Sequence, residues 1–157
     1  MLSANRSAAV GAESSEATLS FPERESWLGS VSLGGEEEIS SHPGVKTVKV
    51  PVVTLDEVVD ERGLQPGLVK IDTEGFELQV IQGSTATLET HRPMVLFESN
   101  TPSGRVGLMR AFELLNFGIY PLDETLFSSP RRMSEEELVS AEPTNFMALH
   151  AEHRMVR

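Results

Sequence analysis

The sequence predicts an α/β fold in which a mainly parallel sheet occupies the second half of the chain. Between residues 68 and 123, strand-like apolar runs alternate with segments whose apolar residues recur at helical spacing. This alternation is the βαβ pattern of parallel sheets. The chain also has the size and composition of one domain with a buried core, since 39% of its 157 residues are hydrophobic. We therefore expect a single domain over residues 1–157.

Short strands joined by loops are predicted for the first part of the chain. The runs AAV (8–10) and ATLSF (17–21) are separated by turn-forming residues, and the acidic, glycine-containing segment 32–44 is expected to be a surface loop. VKTVKVPVV (45–53) then alternates apolar and polar residues, as a strand does. Because Pro51 has no N–H to donate, we expect an edge or terminal strand.

A helix and a buried strand are predicted next. Thr54 and Glu57 have the spacing of a capping box, and Gly63 can adopt the left-handed conformation that ends helices. The run LVKID (68–72) is apolar on both faces except at Lys70. This pattern is typical of a strand buried within a parallel sheet.

Helical spacing and short apolar runs predict the remaining elements. One helical stripe is formed by Leu78, Ile81, Thr85 and Leu88. Gly83 divides that region into two short helices, and PMVLFE (93–98) is a second buried strand. A second stripe is formed by Leu108, Ala111, Phe112 and Leu115. Gly118 is expected to end this helix, and IYPLD (119–123) and TNFMALH (144–150) are expected to be strands.

Charge and composition exclude several classes of function. Thirteen basic and 24 acidic side chains give a formal net charge of -11, the wrong sign for binding nucleic acid or an anionic membrane. The chain has no cysteine, which excludes disulfides, thiolate nucleophiles and cysteine-bound zinc. His150 and His153 bring no third ligand, so we expect an exposed pair and no metal site.

No membrane segment is predicted from the sequence. The longest apolar runs are of the size of PMVLF, whereas a membrane-spanning helix needs about 20 apolar residues. The first residues lack the apolar stretch of a signal peptide. We therefore expect a cytoplasmic protein.

Acidic residues gather where two of the predicted strands end. Asp72 and Glu98 each close a strand, and Glu74 and Glu77 follow Asp72 closely. Ligands of open α/β sheets bind at the carboxyl ends of the strands, and neighbouring strands lie about 4.8 Å apart. One carboxylate there can accept a proton or orient a nucleophile while another binds the substrate. Glu77 would lie in a first helical turn, where the helix dipole alone explains an acid.

Three blocks of the sequence resemble the core motifs of the FkbM family of S-adenosylmethionine-dependent methyltransferases. They are VTLDEV (53–58), KIDTEGFELQVIQG (70–83) and RPMVLFE (92–98), which stand in the family's order. Residues 8–22 are similar to the segment that precedes these blocks, and residues 113–122 are similar to the family's sixth strand with its helix. A match of three blocks in order is far more specific than a lone glycine motif.

The resemblance implies a Rossmann-like methyltransferase sheet, mainly parallel with an antiparallel last strand. It implies transfer of a methyl group from S-adenosylmethionine to a hydroxyl oxygen of a small molecule or sugar. Asp72, Glu74 and Glu98 match acids of the family's motifs and are implied as catalytic. Asp72 and Ala8, at the start of the segment beside the adenine-binding edge, are implied as cofactor-binding.

The matching blocks correspond to the later part of the family's domain, so a domain incomplete in its N-terminal half is expected. Such a methyltransferase opens with a strand, a glycine-rich turn and a second strand that ends in a ribose-binding acid. Gly34 and Gly35 are followed by three glutamates and do not fit that turn. We expect this chain alone to bind the cofactor weakly and to self-associate through an exposed sheet edge. The alternative function is a non-catalytic Rossmann-like interaction module that needs a partner chain.

Overall fold

The computed structural model describes residues 8–22, 30–32, 45–73, 75–122, 131–142 and 144–153, and these ranges contain eight strands and five helices. The strands are β1 (Ala9–Val10), β2 (Ser15–Pro22), β3 (Ser30–Ser32), β4 (Val45–Val53), β5 (Leu68–Ile71), β6 (Met94–Glu98), β7 (Phe117–Pro121) and β8 (Asn145–His150). The helices are α1 (Leu55–Arg62), α2 (Glu77–Gln82), α3 (Thr85–His91), α4 (Pro102–Leu114) and α5 (Glu135–Ser140). The α/β class is confirmed. The loop predicted for 32–44 lies outside the described residues except for Ser32.

The first sheet has the strand order β1-β4-β2-β3. Its longest pairing is antiparallel, between β2 and β4, whereas β1 runs parallel to β4. The prediction that the strand with Pro51 lies at an edge is wrong, because β4 is an inner strand. Since β1 is only two residues long and pairs with Val52 and Val53, Pro51 has a described neighbour on one side only. That short pairing explains how proline is tolerated there.

The second sheet has the order β5-β6-β8-β7 and carries the predicted site. β5 and β6 are parallel, and β8 is antiparallel to both β6 and β7. Three strands therefore run in one direction and the last strand runs in the other, as the sequence resemblance implied. The expectation of a mainly parallel sheet is corrected, because both sheets are mixed and only one of the three pairings in the second sheet, β5 with β6, is parallel.

β5 lies at the edge of the second sheet, which corrects the prediction of a strand buried on both faces. Its described partner is β6 alone. Leu68 is 56% exposed, and Lys70 is also exposed, whereas Ile71 is buried. One face of β5, with Ile71, packs on the core, whereas the face with Leu68 and Lys70 is exposed. Whether a layer covers the second face depends on long-range packing, which the apolar pattern of the strand does not contain.

The main core lies between one face of the second sheet and helices α2 to α5. Its fully buried side chains include Ile81, Leu88, Val95, Leu108, Phe112, Ile119, Leu138 and Phe146. Burying each such side chain stabilises the fold by roughly 1.5–3 kcal/mol. Thr85, which was expected on the buried stripe, is exposed, and Thr87 is buried in its region. The cause is the break at Gly83, because α3 restarts with a different face toward the core.

The two halves of the chain meet at the junction of α2 and α3. A Cβ added to Gly83 would lie 2.0 Å from the carbonyl oxygen of Gly11, so the chain leaving β1 passes directly over this glycine. The Asp56 carboxylate accepts hydrogen bonds from the backbone N–H groups of Ala86 (3.0 Å) and Thr87 (2.7 Å). Asp56, on α1, thus caps the start of α3.

The predicted ends of α1 are confirmed, and the predicted end of α4 is wrong. Thr54 and Glu57 form the predicted capping box of α1, which ends at Gly63 with φ 58°. Gly118, in contrast, does not end α4, because it lies inside β7. The left-handed residue after α4 is Asn116, with φ 60°, since asparagine tolerates this conformation better than most side chains. A second capping box, which starts α5, was not predicted.

Candidate functional site

The parallel pairing of β5 and β6 brings Asp72 and Glu98 to the same edge of the second sheet. Ile71 is opposite Phe97 in the register of the two strands, so the next residues along the chain, Asp72 and Glu98, are neighbours. The backbones of adjacent strands lie about 4.8 Å apart. The predicted pairing of the two strands, with both acids at one edge, is confirmed.

Two of the side chains at this edge, those of Lys70 and Asp72, are exposed to solvent, and Glu98 is half-buried. We call Lys70, Asp72 and Glu98 the carboxylate rim. The Lys70 ammonium lies 2.8 Å from the Asp72 carboxylate, and the two side chains are 66% and 47% exposed. The hydrogen bond and charge of Asp72, with a smaller contribution from the charge of Glu98, raise the pKa of Lys70. Because exposed ion pairs of this kind add little to folding, a ligand can replace Lys70 as the partner of Asp72 at low cost.

Glu77 has a different environment, although it lies only five residues from Asp72. It is the first residue of α2 and is 7% exposed. Its Oε1 accepts hydrogen bonds from the Gly75 N–H at 2.7 Å and from the Thr73 hydroxyl at 3.1 Å. Gly75 has φ 103°, a conformation that favours glycine. Glu77 therefore fixes the turn between β5 and α2, which supports a structural role for this residue. Its two hydrogen bonds explain an acid at this position in addition to the helix dipole.

Two predicted site residues are not brought to the rim by the described structure. Glu74 lies outside the described residues. Ala8 is half-buried and directly precedes β1, which belongs to the first sheet, whereas Asp72 and Glu98 belong to the second. The roles implied for Glu74 and Ala8 stay predictions.

Sequence analysis missed a buried arginine directly behind the rim. The carbonyl oxygen of Ser99, next to Glu98, accepts hydrogen bonds from Nε (3.1 Å) and Nη2 (2.8 Å) of Arg105. Nη1 of Arg105 donates to the carbonyl oxygens of Leu138 (3.0 Å) and Ala141 (2.7 Å). Arg105 is 2% exposed, and burial lowers its pKa. The guanidinium thus joins the end of β6 to α5.

The burial of Arg105 can be predicted from its spacing to the apolar residues of α4. Its guanidinium carbon lies 5.0 Å from the centre of the Phe146 ring, inside the core. It stands three, four and seven residues before Leu108, Met109 and Phe112, which are all buried. This spacing places an arginine on the buried stripe of α4. A charge on such a stripe indicates a satisfied structural group.

The expected exposed histidine pair is wrong for His150. This residue is buried at the end of β8, with its ring 5.3 Å from Phe117 in an edge-on contact. Burial, followed by the charge of Arg92, lowers the pKa of His150, against the opposite effect of Glu152. A cavity of about 330 Å³ is lined by Arg92, His150, Glu152 and His153. It lies at the end of the second sheet opposite the rim, because β8 runs antiparallel to β6.

Comparison with protein families decides what kind of protein carries this site. A family model of the methyltransferase FkbM domain matches residues 3–136. The chain belongs to the FkbM methyltransferase family. The resemblance drawn from the three sequence blocks is confirmed, and membership in this family indicates a methyltransferase. No curated protein and no solved structure matches the chain.

The FkbM match includes the whole carboxylate rim, and β8, at 145–150, lies beyond it. Within the described ranges, no group of three or more histidine and acidic side chains is arranged to hold a metal ion. No helix in the described part of the chain is long and apolar enough to cross a membrane. The carboxylate rim is therefore the candidate site on which we base a function.

Proposed function

We propose that this chain is an S-adenosylmethionine-dependent O-methyltransferase acting on a hydroxyl of a small molecule or sugar. The observation that carries the proposal is the pair of acids at the carboxyl edge of an α/β sheet, the exposed Asp72 and the half-buried Glu98, in a member of a methyltransferase family. This edge is where open α/β sheets bind their ligands.

The topology of the second sheet supports a Rossmann-like arrangement of this family. Three strands run in one direction, and β8 inserts antiparallel between β6 and β7. The family resemblance implied such an antiparallel last strand. We propose that the second sheet is the later part of a Rossmann-like methyltransferase sheet, with the rim at its ligand-binding edge.

The chemistry of the rim fits S-adenosylmethionine. The cofactor carries a sulfonium, an ammonium and ribose hydroxyls, and carboxylates attract cations and accept hydrogen bonds from hydroxyls. When bound, the cofactor supplies an electrophilic methyl group. We propose that Asp72 holds it, with Ala8 as a further contact.

Asp72 is proposed to act on the methyl acceptor as well. Its carboxylate accepts a hydrogen bond from the acceptor hydroxyl and takes the proton as the oxygen is methylated, while Glu98 and Glu74 orient the substrate. General base catalysis contributes about 10²–10⁴-fold, and correct positioning of the two reactants contributes more. Lys70, the present partner of Asp72, would be displaced when the substrate hydroxyl binds.

The experiment is a transfer assay on the full chain with methyl-labelled S-adenosylmethionine and a panel of sugars and small alcohols. High cofactor concentrations compensate for the weak binding expected. Asp72→Asn keeps the shape but loses the proton acceptor, so transfer should fall by about 10²-fold or more. The matched control is Asp60→Asn, an exposed aspartate on α1, which should retain full transfer. Absence of labelled ether product, or equal rates for Asp72→Asn and the wild type, would contradict the proposal.

A further inference from the structure

The cavity at the end of the second sheet opposite the rim receives a hydrogen-bond donor from His150. This residue lines the cavity and is only 7% exposed. Its Nδ1 accepts a hydrogen bond from the backbone N–H of Glu152 at 3.2 Å, so the neutral imidazole carries its proton on Nε2. In the described part of the chain, Nε2 has no hydrogen-bond acceptor. Since Nε2 is not among the polar atoms sealed in the core, its N–H opens into the cavity.

An ion pair forms the wall of the cavity beside this donor. The Arg92 guanidinium is hydrogen-bonded to the Glu152 carboxylate, and the two side chains are 46% and 64% exposed. Burial, followed by the charge of Arg92, lowers the pKa of His150, so the guanidinium lies close enough to act on the ring. An exposed ion pair contributes at most about 1 kcal/mol to stability. A ligand can therefore replace Glu152 at Arg92.

The backbone at Arg92 is also unusual. α3 ends at this residue in the left-handed conformation, with φ 48°. Glycine and asparagine adopt this conformation at lower cost and are the usual residues there. Backbone strain of this kind is often found at ligand sites. It adds to the evidence that the side chain of Arg92 has a function.

The groups in the cavity favour a phosphate over a carboxylate. The guanidinium of Arg92 and the Nε2–H of His150 are donors, so the ligand has to supply acceptor oxygens. Glu152 already presents a carboxylate to Arg92, and because it is tethered, a free carboxylate competes poorly with it. A phosphate has about two negative charges and three acceptor oxygens, so it can accept hydrogen bonds from both donors.

We propose that this cavity binds the phosphate group of a small molecule. Arg92 and the Nε2–H of His150 hold the phosphate, and Glu152 is a competitor that leaves Arg92 when the ligand binds. The volume of about 330 Å³ is in the range of small-molecule sites and leaves room for the rest of the molecule. The inference is independent of the methyl-transfer proposal, because the cavity lies at the other end of the sheet and involves neither the cofactor nor Asp72.

An NMR titration of the full chain with inorganic phosphate at constant ionic strength tests the site. We expect shifts of the amide resonances of Arg92 and of residues 150–153, and of the Nε2–H resonance of His150. Arg92→Gln and His150→Gln should each raise the dissociation constant about tenfold or more, because each removes a hydrogen bond to a charged group. The matched control is Arg110→Gln, an exposed arginine on α4, which should bind phosphate as the wild type does.

Glu152→Gln tests the competition directly. Without the carboxylate that occupies Arg92, the dissociation constant for phosphate should fall by about two- to fivefold. Glu142→Gln removes the same charge from an exposed position after α5 and should leave the constant unchanged. Circular dichroism verifies that each variant is folded. Because Arg92 and Glu152 are exposed, their variants decide the outcome even if His150→Gln does not fold.

Two further probes define the ligand class. Acetate should bind more weakly than phosphate, and glycerol phosphate should bind at least as tightly as inorganic phosphate. The proposal would be overturned by an unshifted Nε2–H resonance of His150, by equal affinities of the wild type and Glu152→Gln, or by equal losses in Arg92→Gln and Arg110→Gln. Acetate binding as strong as that of phosphate, or weaker binding of glycerol phosphate than of inorganic phosphate, would overturn it as well.

Discussion

The carboxylate rim and the buried charged residues near it differ in exposure and in the number of their hydrogen-bond partners. Asp72, on the rim, is about half exposed and is paired with one flexible lysine. Glu77 and Arg105 are almost fully buried. Glu77 accepts hydrogen bonds from one backbone N–H and one hydroxyl, and Arg105 donates to three backbone carbonyl groups. Buried charge is tolerated only when it is satisfied in this way. The fold therefore depends on Glu77 and Arg105 and leaves Asp72 available to a ligand.

The largest effect is expected for Arg105→Ala. The substitution leaves buried carbonyl groups at the end of β6 and in α5 without their donor, at about 1–3 kcal/mol for each, so the free energy of unfolding should fall by about 3 kcal/mol or more. Urea denaturation measures this change. Arg110→Ala, an exposed arginine on the same helix, should change stability by less than about 0.5 kcal/mol. Equal losses of unfolding free energy in the two variants would contradict the structural role of Arg105.

A smaller loss of stability is expected for Glu77→Ala. The variant removes the acceptor of the Gly75 N–H and of the Thr73 hydroxyl. Because Gly75 is exposed and Thr73 is half-buried, water can reach these donors, and we expect a loss of about 0.5–1.5 kcal/mol, the contribution of a typical hydrogen bond. Thermal and urea unfolding give the magnitude. Glu89→Ala, an exposed glutamate on α3, is the matched control and should be close to neutral. A neutral Glu77→Ala would show that the turn after β5 does not need this carboxylate.

His150 is buried at the end of the sheet opposite the rim, and it should make the free energy of unfolding depend on pH. Its pKa is lowered in the folded state, so between the ordinary value of about 6.5 and the folded value the unfolded chain binds more protons. Stability should therefore fall as the pH is lowered from about 6.5, with a slope of at most about 1.4 kcal/mol per pH unit for one group. Unfolding of the wild type and of His150→Gln at pH 7 and pH 5.5 isolates this contribution. An identical loss in both proteins would contradict the role of His150.

The smallest effect on stability is expected at the rim itself. Asp72→Asn removes an exposed ion pair and should change the free energy of unfolding by less than about 0.5 kcal/mol. The same urea titrations measure it. A loss as large as that of Glu77→Ala would show that Asp72 stabilises the fold as Glu77 does.

Local signals in the sequence predicted the elements that hold the site. The capping box of Thr54 and Glu57 placed α1, and the apolar runs placed β5 and β6 so that Asp72 and Glu98 fell at one edge. The same kind of capping box, Ser134 with Glu137, marks α5, but this six-residue helix lies in a polar segment where the signal was overlooked. Local sequence patterns of this kind therefore predict most of the helices and strands.

Long-range features could not be predicted in this way. The position of β5 at a sheet edge depends on strand order, and the capping of α3 by Asp56 joins residues 30 positions apart. The burial of His150 depends on the contact with Phe117 across the β7–β8 pair. Such contacts follow from how the elements pack, and short-range periodicity contains no information about them.

The most direct test of the carboxylate rim as a ligand site is a protein-observed NMR titration of the full chain with S-adenosylmethionine, which detects binding even at millimolar affinity. We predict that the amide resonances around Asp72 and Glu98 shift, that those around His150 do not, and that Asp72→Asn abolishes or strongly weakens the response. Shifts that are absent from the rim, or that persist unchanged in Asp72→Asn, would contradict the assignment of the rim as the ligand-binding site.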